Sequence, residues 1–165
     1  MSGNIFLLQL LISILYFASL LAQEGEYKFS NRDADYLVVN DMQSWENAKK
    51  YCKEKKQMQL VSFETQEKMV KFIINLYKRD FLQSGKVHPN SSFVFAYWTS
   101  GNNLADPNKF IWDTVQMPVE YFHWLNKHEE APGGQGCILM GLKTFGRWTN
   151  ASCDMPNLFI CEKPH

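Results

Sequence analysis

The four cysteines are the strongest constraint on what this chain can fold into. Cys52, Cys137, Cys153 and Cys161 all lie behind an opening segment that has no charged side chain before Glu24. Ile5 to Ala22 is apolar apart from Gln9, Ser13 and Ser19, and the small Ala22 precedes the polar Gln23-Glu24-Gly25. Such a run reads as a secretory signal peptide cut near Ala22, so 1–22 is expected to be removed and 23–165 to form one domain. A retained anchor competes with this, since about 20 apolar residues span a bilayer. The run is marginal in length for that, and no stalk follows it. An even cysteine count behind an export signal implies disulfides, with three connectivities open for four cysteines. The gaps of 85, 16 and 8 residues contain no Cys-x-x-Cys, which argues against a zinc site.

Charge narrows the function classes. The 17 basic and 17 acidic side chains cancel, so the chain lacks the cationic footprint that nucleic-acid binding requires. Hydrophobic residues at 45% and aromatics at 15% supply a core for one domain and exclude global disorder. Asn90-Ser91-Ser92 and Asn150-Ala151-Ser152 are N-glycosylation acceptor triplets, which fit an extracellular protein.

Local patterns predict two helices followed by several strands, an α+β order. Tyr27–Phe29 and Tyr36–Val39 read as strands around the turn Ser30-Asn31-Arg32-Asp33. Ser44 is the expected N-cap of a first helix, with Glu46 in its first turn and Lys49, Lys50, Lys53, Lys55 and Lys56 towards its C-terminus. Trp45, Ala48 and Cys52 form its inward stripe. A second helix is expected from Thr65 to about Arg79, with Met69, Phe72, Ile73, Leu76 and Tyr77 on its apolar face. Phe93–Thr99, Phe110–Trp112, Cys137–Leu142, Gly146–Thr149 and Leu158–Glu162 then read as strands separated by turn residues such as Gly101-Asn102-Asn103. Asp113–Gly136 is long and without a period, which marks a functional loop.

These pieces jointly resemble the C-type lectin-like domain family. Trp45-Glu46-Asn47-Ala48-Lys49-Lys50-Tyr51-Cys52 is similar to its first-helix motif, and Leu60-Val61-Ser62-Phe63-Glu64-Thr65-Gln66-Glu67 to the entry of its second helix. Tyr97-Trp98-Thr99-Ser100-Gly101-Asn102-Asn103-Leu104-Ala105 is similar to the form that the core motif takes in secreted single-domain lectins of arthropods. Phe110-Ile111-Trp112, Trp124, Cys137-Ile138-Leu139-Met140, Gly146-Arg147-Trp148 and Phe159-Ile160-Cys161-Glu162 follow at family spacing, from about Tyr27 to Glu162. The resemblance implies two helices, two small antiparallel sheets and a long irregular loop. It also implies the pairing Cys52 with Cys161 and Cys137 with Cys153, in the short form that has no further N-terminal cysteine pair.

The resemblance places a ligand site on the long loop. Calcium-dependent members carry a Glu-Pro-Asn or Gln-Pro-Asp triplet there and an Asn-Asp pair after a strand tryptophan. Counted from Trp124 the triplet falls on His128-Glu129-Glu130, and counted from Trp148 the pair falls on Thr149-Asn150. Gln135-Gly136 stands where an acidic residue precedes the third cysteine. Calcium favours six to eight hard oxygens, and an imidazole with few carboxylates is a poor substitute. The expectation is a secreted carbohydrate-binding lectin with weak or no calcium dependence and no other cofactor. Its contacts with glycans or glycoproteins would come from His128, Glu129, Glu130, Thr149 and Asn150, on a surface running from Lys127 to Gln135 and across Thr149. The alternative is a protein-binding module on the same scaffold.

Blander readings hold elsewhere. Trp98, Trp112, Trp124 and Trp148 read as core rather than sugar platforms, with Tyr121 and Phe122 at the loop's edge. His123 and His128 lack the spacing of a helical zinc pair. Lys53–Lys56 reads as a solvated helix face. Gly133-Gly134-Gln135-Gly136 lacks the Lys and helix of a phosphate loop. No nucleophile motif is present, so the chain reads as non-enzymatic.

Overall fold

A computed structural model of the chain describes residues 26–84, 96–121, 123–125, 135–142 and 144–165, with backbone alone at Tyr77 and at 79–84. The first elements form a hairpin, β1 (Glu26–Ser30) and β2 (Ala34–Gln43), in register from Glu26↔Val39 to Ser30↔Asp35. Its turn is closed by Asn31, whose side-chain oxygen accepts from Asp33 N at 2.8 Å and Ala34 N at 3.0 Å, the local bonding for which Asn is favoured in turns. Along β2 successive side chains face opposite ways, and both faces are covered. Tyr36 and Val38 enter one core, Leu37 and Val39 the other.

Helix α1 (Trp45–Lys56) starts where expected. Ser44 is extended and its hydroxyl accepts from Asn47 N, and the helix stops at Gln57, which turns left-handed at φ 54° and bonds back to Cys52 O. The buried stripe is Trp45, Ala48 and Cys52. Strand β3 (Gln59–Leu60) follows, then α2 (Gln66–Ser84). Thr65 caps α2 by accepting from Lys68 N at 3.2 Å. The helix runs five residues beyond the expected end at Arg79, because the apolar period fades there while the first residue that breaks a helix is Gly85.

The remaining strands are β4 (Ala96–Asn102), β5 (Ile111–Trp112), β6 (Met117–Pro118), β7 (Cys137–Gly141), β8 (Arg147–Ala151) and β9 (Asn157–Pro164). One antiparallel group is β1–β2–β9 with β3 on β9; the other is β5, β6, β7 and β8 arranged about β4. A short parallel pairing, Tyr97↔Leu158 and Trp98↔Phe159, joins β4 to β9, so the two expected sheets form one hydrogen-bonded network. The two-residue strands β3 and β6 are too short to leave a period in the sequence.

Both sulfur bridges match the pairing that the resemblance implied. Cys52–Cys161 ties α1 to β9, and Cys137–Cys153 joins the start of β7 to the turn after β8. Trp98, Trp112 and Trp148 are fully buried, as the core reading requires, and each such side chain contributes on the order of 1.5–3 kcal/mol of burial. Trp124 is half-buried, packed edge-on to Trp148 and against Phe110. Glu162 on β9 is fully buried, its Oε1 accepting from Ser62 N at 3.0 Å and Ser62 Oγ at 2.9 Å.

Candidate recognition site

Strand β8, which carries the expected residues Thr149 and Asn150, is held by neighbours along both of its edges. On one side it pairs with β7, Leu139↔Thr149 and Ile138↔Asn150. On the other, Trp148 N donates to His123 O and Leu125 N to Trp148 O, both at 2.8 Å, so the chain entering the long loop lies alongside β8. With Trp148 turned into the core, Thr149 and Asn150 are half-buried just past it. The far stem of the loop returns at Gln135 and Gly136, next to Cys137.

That stem is stitched to the turn after β4. Asn103 N donates to Gly136 O at 3.1 Å, Gly136 N donates to Asn103 Oδ1 at 2.6 Å, and Asn103 Nδ2 donates to Pro107 O at 2.8 Å. Gln135 Nε2 adds a bond to Leu104 O at 2.8 Å. The Gly136 backbone lies directly on the Asn150 carboxamide. A Cβ at Gly136 would collide with Asn150 Oδ1 and stand 2.8 Å from its Cγ and 2.9 Å from Ala151 O. Both polar atoms of that carboxamide are buried, and neither has a hydrogen-bond partner among the described residues.

Of the residues expected to bind, Thr149 and Asn150 are consecutive on β8, so their side chains leave opposite faces of the strand, whereas His128, Glu129 and Glu130 lie outside the described residues, as do Asn90 and Phe122. His123 is turned to the β7–β8 hairpin, with Nε2 3.4 Å from Phe145 O and its ring against Trp148. Tyr121 packs on Trp148, and burial, helped by the Glu64 charge, pushes its phenol above the usual range. Asn103 was legible only as a turn residue. A polar side chain after a glycine signals a turn, but nothing local signals that its carboxamide reaches Gly136, 33 residues on.

For calcium, β8 offers a threonine hydroxyl and a carboxamide, both neutral. A tight site needs several carboxylates among its oxygens, so this part of the donor set does not fit one. Among the described residues, no group of three or more His, Cys, Asp or Glu converges.

The Lectin C-type domain family matches residues 41–163. The chain belongs to the C-type lectin domain family. Solved structures agree on the fold of this C-type lectin domain. The carbohydrate-recognition domain of the mouse scavenger receptor C-type lectin is 21% identical, with a TM-score of 0.63 over 84% of this chain and 95% of that one. Human lithostathine is 21% identical, with a TM-score of 0.64 over 84% and 88%. A calcium-independent type II antifreeze protein is 19% identical, with a TM-score of 0.59 over 85% and 92%. The likeness of Tyr97–Ala105 to arthropod lectins finds no support in these matches: at such identities they establish the lectin fold but no subtype.

Proposed function

We propose that this C-type lectin domain is a secreted, non-enzymatic protein that binds glycans through β8 and the adjoining loop, with calcium contributing little. The observation that carries the reading is the Asn150 carboxamide, whose two polar atoms are buried and unpaired among the described residues. Each unpaired buried group costs about 1–3 kcal/mol, and such a cost persists where function requires the group. A carboxamide both donates and accepts, which suits neighbouring sugar hydroxyls. His128, Glu129 and Glu130 are proposed to complete the contact from the loop. Export is supported by the apolar leader and by two disulfides, which persist in oxidising compartments. None of the helices among the described residues is long and apolar enough to cross a membrane.

A glycan array probed in calcium and again in chelator tests this. Binding that survives chelator is expected, and no binding in either condition removes the reading. The neutral donor set of β8 also favours a second reading, a protein-binding module. Capture of a partner from the secreted fluid that competing sugars do not disturb would select it.

A further inference from the structure

Phe145 stands at the tip of the β7–β8 hairpin, largely in solvent and in a backbone conformation that aromatic residues avoid. Its φ is 56°, in the left-handed region, and it is 74% exposed. The turn fixes this conformation. Phe145 N donates to Leu142 O at 3.1 Å, and Gly146, itself at φ 79°, donates its N–H to Gly141 O at 3.0 Å. A bulky residue at positive φ is an outlier of the kind that gathers at functional positions, and a glycine would meet the same turn without strain. With most of its surface in water, Phe145 adds little to the core.

The tip is seated on α2. A methyl group on Gly146 would stand 3.2 Å from Ile73 Cδ1 and 3.5 Å from Met69 Sδ, so the turn rests on these two side chains. Phe72, at the other edge of the buried stripe, packs on Phe29 and Tyr36 of the first hairpin. Each helical residue lies about 100° further round the axis than the one before. Val70 and Ile74 therefore follow Met69 and Ile73 onto the flank away from Phe72, where they are 42% and 46% exposed. That is the flank on which the turn is seated. Two cations border this apolar surface: Lys78, one helical turn after Ile74, and Arg147, two residues after Phe145. Both are exposed, and neither is in an ion pair among the described residues. Glu67, on the same flank, is paired with Lys71 at 3.0 Å.

We propose that this tip and helix flank dock on an anionic lipid bilayer, with Phe145 entering at the level of the headgroups. The shape, the apolar chemistry and the charge each favour that partner. An aromatic ring carried outward on a hairpin can enter a bilayer interface, where such rings are enriched, whereas a small ligand needs a cavity around it. Val70 and Ile74 have no hydrogen-bonding side-chain groups, which suits acyl chains and not the hydroxyls of a sugar. Lys78 and Arg147 suit lipid phosphates and carboxylates. A second copy of the chain fits less well, because a twofold contact through this patch brings its unpaired cations together. The surface uses neither Thr149 nor Asn150, so it stands apart from the glycan reading.

Co-sedimentation of the full chain with phosphatidylcholine vesicles, with or without phosphatidylserine, tests this at low and high salt. Binding is expected to the anionic vesicles and should weaken steeply as salt rises. Phe145→Gly should lower it about tenfold while keeping or raising the melting temperature, since glycine adopts the left-handed turn freely. Arg147→Gln combined with Lys78→Gln should lower it at least about tenfold. The variants share all remaining sequence, so differences among them report the tip and not the apolar leader. Absence of binding to anionic vesicles at low salt overturns the proposal, as does equal binding to both kinds of vesicle or unchanged binding by Phe145→Gly. A dimer that Phe145→Gly dissociates, with vesicle binding unaffected, assigns the tip to a second copy and also overturns it. Should Phe145→Gly fail to fold, Val70→Ser combined with Ile74→Ser decides: reduced binding to anionic vesicles supports the docking face, and unchanged binding overturns it.

Discussion

The carboxylate of Glu162, closed off from solvent on β9, stands 2.8 Å from the Lys68 ammonium of α2. The contact is one of charge, outside hydrogen-bond alignment, and Lys68 also reaches Glu64 Oε2 at 3.0 Å. Removing one partner leaves an uncompensated buried charge, which costs about 3–5 kcal/mol. Lys68→Met is therefore expected to destabilise the domain strongly, and more than Glu162→Gln, which removes the charge and retains an acceptor for Ser62. Guanidinium denaturation with the disulfides intact checks both. A loss well under about 1 kcal/mol for Lys68→Met, the scale of a solvated pair, would contradict the burial.

The two disulfides differ in accessibility. Cys52, Cys161 and Cys137 are fully buried, whereas Cys153 is half-buried between the exposed Ser152 and Asp154. Mild reductant is expected to open Cys137–Cys153 first, as mapped by alkylation and mass spectrometry. The loop it closes is 16 residues, against 109 for Cys52–Cys161. On a chain-entropy account its removal costs ~3 kcal/mol and that of the longer bridge nearer ~5. Simultaneous release of all four thiols would contradict this order.

Gly136→Ala tests the close approach behind the proposed recognition site. The added methyl would meet Asn150 and the Ala151 carbonyl together, and a backbone carbonyl paired within β8 cannot swing away. Overpacking of this kind costs about 1–3 kcal/mol. A lowered melting temperature with weakened glycan binding is expected; an unchanged one would mean that the stem is looser than the geometry here.

Glu26 sets an acid limit for the first hairpin. Burial alone would raise its carboxyl, but hydrogen bonds from Lys56 and Tyr51 outweigh this and hold it below its ordinary value of 4.5. A depressed carboxylate stabilises the fold above its unfolded-state pKa, and that contribution is lost as pH falls through the lower folded value. Acid titration of stability should show a loss beginning near pH 4.5 and continuing below it that Glu26→Gln lacks. Parallel curves for the two proteins would remove Glu26 as the source.

Asn150 begins an acceptor triplet, yet its Nδ2 is buried in the fold, where a covalently attached glycan would have to displace the Gly136 backbone. Mass mapping of glycopeptides from secreted protein is expected to find Asn150 unmodified. Full occupancy would mean that β8 sits differently from its place in this fold.

Much of the fold was legible because its signals are local. Ser44 and Thr65 cap helices through atoms three residues away, and Trp45, Ala48 and Cys52 recur at helical spacing. Asn31 closes its turn with neighbours two and three residues on. The family motifs around the cysteines carried the disulfide pairing, which spacing alone left open. The candidate site was half legible. Counting from Trp148 singled out Thr149 and Asn150, which lie consecutively on β8, but nothing local revealed that the Asn150 carboxamide is buried and unpartnered among the described residues.

From the sequence alone followed the elements that short-range hydrogen bonds and apolar periodicity dictate, together with the balance of 17 basic and 17 acidic side chains. Folding alone decided the parallel join of β4 to β9, the sealed charge of Glu162 and the bond from the Gly136 amide to Asn103. The physical reason is range. A cap or a turn is satisfied by atoms already adjacent along the chain, whereas a contact across 33 or 100 residues exists only once the core has closed and set which polar groups find a partner.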